Sequence, residues 1–143
     1  MGTTATFDAL IGTWDTKGDV YGDDATTVVA TVVGTDAYEW LGTAFVVHRI
    51  DVHMGDEAVV GLEVIGPVRP GEREVPTQAY DGGGEIQSSV AIAEPDGSYR
   101  FGADGARAHL RPAGPGVMTA DWERSTDGGD TWYPWMHLTL TRR

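Results

Sequence analysis

Four histidines, His48, His53, His109 and His137, are the side chains whose type suits them to move a proton near neutral pH. His48 and His53 are five apart in one extended run, and side chains of a strand alternate between its faces, so these two point apart. No pair has His-x-His or His-x-x-x-His spacing, and no metal site is expected. His48 shares a face with Val46 and Ile50. There it is either a core histidine bonded to a neighbour or a buried general acid or base tuned by its surroundings. His137 lies in a final run that alternation splits into two sets: Tyr133, Trp135, His137, Thr139 and Thr141 against Trp132, Pro134, Met136, Leu138 and Leu140. If the first set is inside, it lines a wet, aromatic cavity that contains a titratable group. If the second is inside, that wall is packed, and Trp135 lies outside, under a loop or in a subunit contact. Periodicity alone does not choose. Arg49 with Asp51, and Asp121 with Glu123, share faces in the manner of solvated exterior pairs. There is no Gly-x-Ser-x-Gly, phosphate loop or dinucleotide fingerprint, since Asp81-Gly82-Gly83-Gly84 leads into a strand and not a helix.

The elements that must position these residues read almost wholly as strands. Thr4 or Thr6 caps a single helical turn carrying Phe7, Leu10 and Ile11, with one apolar side to plug a barrel end. Gly12-Thr13-Trp14 opens a strand to about Tyr21, with Gly18 breaking its side-chain row. A second, β-branched strand covers Thr26–Val33 and ends at a turn, Gly34-Thr35-Asp36. A long third strand spans Tyr38–His53, with Tyr38–Leu41 as its lead-in and Gly42 as a bulge or bend. Ala58–Ile65 follows, and then Val75–Tyr80, where Pro76 argues for an edge or an irregularity. Glu85–Ala93, Tyr99–Gly102, Arg107–Arg111, Val117–Arg124 and Trp132–Arg142 complete about ten strands. Between the last two lies the tight turn Ser125–Trp132, in which Gly128 and Gly129 take positive φ, Asp127 bonds backbone amides and Trp132 covers the loop. Turn signals every eight to twelve residues with almost no helix predict an all-β sandwich or barrel.

The chain has 143 residues, no cysteine and a formal net charge of −12, with one lysine, Lys17, against nine arginines. That length suits one domain over 1–143 with its own core. Without cysteine there is no thiol catalysis, thiolate metal site or disulfide staple. Strong negative charge repels phosphate backbones and anionic membranes, so neither nucleic acid nor membrane is expected as a partner. The first eight residues lack a basic region and an apolar run, which points to the cytoplasm.

The turn Ser125-x-Asp127-x-Gly129-x-Thr131-Trp132 resembles an Asp-box, the structural hairpin of sialidase propellers. A single copy in so short a chain does not build a propeller. Gly12-Thr13-Trp14, the preceding one-turn plug and a last strand ending in Arg142 resemble the calycin superfamily of lipocalin-like and fatty-acid-binding-protein-like barrels. The resemblance implies that Trp14 floors the closed end with Arg142 stacked over its ring. Tyr38, Trp40, Leu41, His48 and Arg49, with Trp132, Pro134, Trp135, Met136, Thr141 and Arg142, are similar to uncharacterised bacterial lipocalin-like domains that begin with a Gly-Thr-Trp strand. A more distant likeness is to nitrobindins, which implies haem held by His137 in its His-Leu context.

The expected fold is therefore a closed antiparallel up-and-down barrel of about ten strands with a short N-terminal helical turn. Ten strands leave room for a small ligand. Trp40, Phe45, Tyr80, Trp122, Tyr133 and Trp135 would supply apolar surface, with His48 and His137 as polar contacts. The first reading is a binder of a small apolar or aromatic molecule. The second is a cofactor-free cyclase or isomerase using His48 or His137 in the same cavity. The others are a haem protein and a structural domain with a filled barrel, the latter forming a homodimer through the Trp135 row if that row is exterior.

Overall fold

A computed structural model describes residues 6–143. Ten antiparallel strands form one closed barrel: β1 (Gly12–Tyr21), β2 (Val28–Leu41), β3 (Phe45–Met54), β4 (Glu57–Ile65), β5 (Glu74–Asp81), β6 (Ile86–Ala93), β7 (Tyr99–Ala103), β8 (Ala106–Pro112), β9 (Val117–Arg124) and β10 (Tyr133–Arg142). Each strand pairs with its sequence neighbours, and β1 closes on β10 from Trp14 opposite Arg142 to Val20 opposite Met136. The only helical element among the described residues is a 3-10 turn, Asp8–Leu10. Thr4 lies outside the described residues. Thr6 accepts the Asp8 N–H on its hydroxyl at 3.2 Å, although the capping position itself is Phe7.

That turn plugs one end. Phe7, Leu10 and Trp14 are buried there, and the Phe7 ring stacks on Tyr99 with ring centres 5.7 Å apart. Trp14 donates its indole N–H to the Leu10 carbonyl at 2.8 Å, and the Arg142 guanidinium stands 4.3 Å from the centre of its ring. Arg142 also donates to the carbonyls of Ala9, at 2.8 Å, and Ile11. One guanidinium thus holds plug, floor and last strand together by stacking and by its fork of donors. Gly12 makes this closure sterically feasible: at φ +138° it sits where a Cβ would lie 2.4 Å from the Arg142 Nη1.

Two strand assignments are corrected. Gly34-Thr35-Asp36 does not end a strand but lies within the 14-residue β2. A Cβ on Gly34 would lie 2.3 Å from the Asp51 carbonyl and 2.4 Å from the Val52 Cα, so this glycine lets β3 approach closely where the sheet curls. The turn comes instead at Gly42, with φ +63° and Leu41 paired to Phe45 across it. Pro76, for its part, is not at an edge, because a closed barrel has none. The other expectation, an irregularity, does hold: the β4 ladder onto β5 ends at Ile65 opposite Thr77, and beyond it the Gly66 N–H donates to the Pro76 carbonyl at 2.8 Å while the proline has no N–H to return the bond.

The β9–β10 hairpin follows its turn chemistry. Gly128 and Gly129 have φ +77° and +95°, the Asp127 carboxylate accepts from the Thr131 N–H at 2.9 Å and the Ser125 hydroxyl at 2.7 Å, and Arg107 stands 4.1 Å over Trp132. The Ser125 hydroxyl bond and the Thr131 amide hold the Asp127 carboxyl down to about 2.

Candidate functional site

Inward-facing residues above the plug leave a cavity of about 330 Å³. Its polar groups are all on one side. Strands β1–β6 contribute Thr16, Asp36, Tyr38, His48, Glu63, Gln87 and Ser89 among aliphatic residues such as Val32, Ile50 and Val52, whereas β7–β10 contribute only apolar side chains, including Phe101, Trp122, Trp135, Met136 and Leu138. Trp122 and Trp135 meet edge to face, with ring centres 6.0 Å apart at 86°.

The polar wall is organised around His48. Cross-strand pairing sets it opposite Tyr38 on one side and Glu63 on the other, with Asp36 two residues before Tyr38 on the same inward row. His48 Nε2 lies 2.7 Å from Asp36 Oδ1, and Nδ1 lies 3.1 Å from Glu63 Oε1. Thr16 donates its hydroxyl to the other Asp36 oxygen, and the Tyr38 ring stacks on the imidazole at 4.0 Å with only 10° between planes. Burial works against a charge on His48, but the hydrogen bonds to Asp36 and Glu63 outweigh it and raise the imidazole to about 9. At neutral pH His48 is therefore an imidazolium donating both N–H groups. Burial, with Asp36 and Glu63 nearby, pushes the Tyr38 phenol well up, so it stays a neutral O–H.

This geometry limits the chemistry. The two ring nitrogens face opposite carboxylates, so the three groups do not converge on a common point, and no metal-holding cluster of such groups occurs among the described residues. His48 is not poised as a base, since both nitrogens already carry protons. It can serve as a fixed charge, or as an acid once one of its carboxylate bonds opens.

No family model matches the chain, and no curated protein matches it. The fold is similar to the solved structure of EF1p2_mFAP2b bound to DFHBI, with a TM-score of 0.53, 13% identity and coverage of 98% of this chain and 98% of that chain. A likeness at that identity concerns the barrel fold alone.

Of the residues singled out from the sequence, His48, Trp122 and Trp135 line the cavity. Trp40 is inside but near the plug, where its indole N–H reaches the Asp8 carboxylate at 3.0 Å. Phe45, Tyr80, Tyr133 and His137 do not line it. Each occupies the outward parity of its strand, next to an inward Val46, Ala79 or Leu138, or, for Tyr133, at the strand's start. In the last strand the Met136, Leu138 and Leu140 set is inside. A register shift between Pro134 and Met136 then carries Trp135 inward as well, so both it and Met136 line the cavity. The outer row expected to form a two-fold contact accordingly does not include Trp135.

His137 is half exposed on the outer face, its Nδ1 2.6 Å from Asp121. The haem ligation implied by the likeness to nitrobindins therefore does not fit: this imidazole faces away from the cavity. The polar cavity residues Thr16, Asp36, Tyr38, Glu63, Gln87 and Ser89, and on the aromatic side Phe101, are among those that sequence reasoning missed. For Glu63 the available signal was its spacing: it alternates with Val59, Gly61 and Ile65 on the inward row of β4, opposite His48.

Proposed function

We propose that this barrel binds a small, mostly apolar or aromatic molecule in its cavity, as a calycin-type, lipocalin-like carrier acting in the cytoplasm. The observation that carries this reading is the 330 Å³ cavity itself, with Trp122, Trp135 and Phe101 on one wall and a hydrogen-bonding wall opposite. Such a pocket pairs apolar area with a few oriented polar groups. The Arg142 stack over Trp14 supports the calycin assignment. The test is a titration with the neutral fluorophore N-phenyl-1-naphthylamine, read by its emission and by tryptophan quenching. Saturable one-to-one binding is expected, weakened about tenfold in Trp135→Ala through the loss of one aromatic contact. A linear, unsaturable signal overturns the reading.

A second reading, an enzyme of cyclase or isomerase type, draws on one observation: a buried imidazolium held between two carboxylates beside the cavity. In that reading His48 gives up a proton to the bound molecule once its bond to Glu63 opens. His48→Gln would then abolish conversion of the bound molecule while leaving its affinity within about threefold. Equal conversion by both proteins would remove the reading.

A further inference from the structure

Resting on the reading that the cavity takes a small aromatic molecule, we infer that its ligand carries a protonated nitrogen, an ammonium group on an aromatic or aliphatic body, seated against Glu63. The argument begins with the charges that face the cavity. Among the described residues its lining contains two carboxyl groups, Asp36 and Glu63, one imidazole, His48, one phenol, Tyr38, and no lysine or arginine. Two carboxylates flank one imidazolium, so the wall retains one negative charge more than it neutralises internally.

The hydrogen bonds show where that excess lies. Both Asp36 oxygens are engaged, one by His48 and one by Thr16. Glu63 uses only Oε1, toward His48, and Oε2 makes no hydrogen bond within the described residues. The Glu63 side chain is 13% exposed and lines the cavity, and no buried polar side-chain atom of the described residues lacks a partner, so the spare oxygen is one that solvent or a ligand can reach. A carboxylate oxygen that is reachable and uncommitted takes a charged donor in preference to a neutral one, because charge-assisted hydrogen bonds are the stronger kind. Ser89 and Gln87 line the same side and offer further acceptors.

The facing wall suits the same ligand. Trp122, Trp135 and Phe101 present ring faces and edges to the cavity, and aromatic rings attract a nearby cation while burying its apolar body. A carboxylate-bearing ligand, in contrast, would meet two carboxylates and find the one imidazolium with both of its N–H groups already donated. A fatty acid is thus disfavoured by the wall that would have to hold its head group.

The test compares three probes with one body and different head groups: 2-naphthylmethylamine, 2-naphthylmethanol and 2-naphthoate. Affinities for the full-length protein are measured at pH 7 by calorimetry. The amine is expected to bind about 10- to 100-fold more tightly than the alcohol, the span of one charge-assisted hydrogen bond, with the carboxylate weakest. Glu63→Gln should bring the amine to within about threefold of the alcohol. Glu72→Gln removes the same charge from the exposed β4–β5 loop and should leave the ratio intact, which separates a local contact from the field of a −12 protein. The wild-type ratio stands as a test even if Glu63→Gln folds poorly, a property checked by near-UV circular dichroism. Alcohol binding with no preference for the amine, or a preference that survives Glu63→Gln, overturns the ammonium inference and leaves the cavity reading in place. If none of the three binds, both fall.

Discussion

Two imidazoles in this barrel lie against a carboxylate at nearly the same distance, His48 at 2.7 Å from Asp36 and His137 at 2.6 Å from Asp121. One strand parity separates their fates. His48 points inward with 11% of its side chain exposed, has a second carboxylate on its other nitrogen and a tyrosine stacked on its face; His137 points outward with 45% exposed. Distance alone would rank them as equals. Solvent decides otherwise, because water screens the outer pair and can replace either partner, whereas inside neither partner has a substitute. The difference teaches that a short contact becomes a functional candidate only where the surroundings make its loss expensive.

Removing each imidazole is the most forceful way to break this comparison. His48→Ala leaves Asp36 and Glu63 facing one another across a partly dry cavity without the intervening cation, and should cost about 3–5 kcal/mol in urea unfolding. Equal losses for His48→Ala and His137→Ala would show that burial does not distinguish the two pairs.

The pH dependence sharpens the same contrast at a smaller scale. His48 is raised in the folded protein to about 9 from its ordinary 6.5, so the folded state holds that proton more tightly than the unfolded chain. Its contribution is fully present below pH 6.5 and is lost as pH rises through about 9. Unfolding measured across that window should show a loss on the order of 1–3 kcal/mol. His48→Gln should flatten the slope and His137→Ala should keep it. A wild-type curve already flat from pH 6.5 to 9 would contradict the protonated state assigned to His48.

How much of this was readable beforehand follows from where strand parity is visible. The barrel was, because turn residues recur along the chain and Gly12-Thr13-Trp14 with Arg142 carries a recognisable closure. His48 was also readable as an inward candidate, from its row with Val46 and Ile50. Asp36 was not, since Gly34-Thr35-Asp36 has the composition of a turn, and only the close packing of Gly34 on Val52 shows it to be mid-strand. Trp135 was hidden by the register shift at Pro134, which breaks the alternation that a reader must assume. Phe45, Tyr80 and Tyr133 misled by type: an aromatic side chain suggests a pocket wall, but a barrel exterior also accommodates large apolar residues.

Within the inner site the two carboxylates should themselves differ. Asp36 accepts from both His48 and Thr16 and lies closer to the ring than Glu63, at 2.7 Å against 3.1 Å. Asp36→Asn should therefore cost about 2 kcal/mol and Glu63→Gln about 1 kcal/mol, because the former disturbs two bonds to a charged acceptor and the latter one. Thermal unfolding at pH 7 ranks them, and the reverse order would move the centre of the site from Asp36 to Glu63.

The smallest expected effect belongs to the outer pair. His137 and Asp121 are both about half exposed, and Arg111 approaches Asp121 at 4.0 Å from the neighbouring strand, so the carboxylate keeps a cationic partner when the imidazole is removed. His137→Ala should change stability by less than about 1 kcal/mol. What difference there is should shrink further in 1 M salt, where charges on the surface are screened within about 3 Å. The inner site should respond far less to the same salt, because His48 and its two carboxylates are mostly covered by protein and bonded directly to one another. Urea curves for wild type, His137→Ala and His48→Gln at low and high salt compare the two sites under one variable. A salt response as large at His48 as at His137 would mean that the cavity is wetter than the side-chain exposures there indicate, and the distinction between the two imidazoles would then rest on hydrogen-bond count alone.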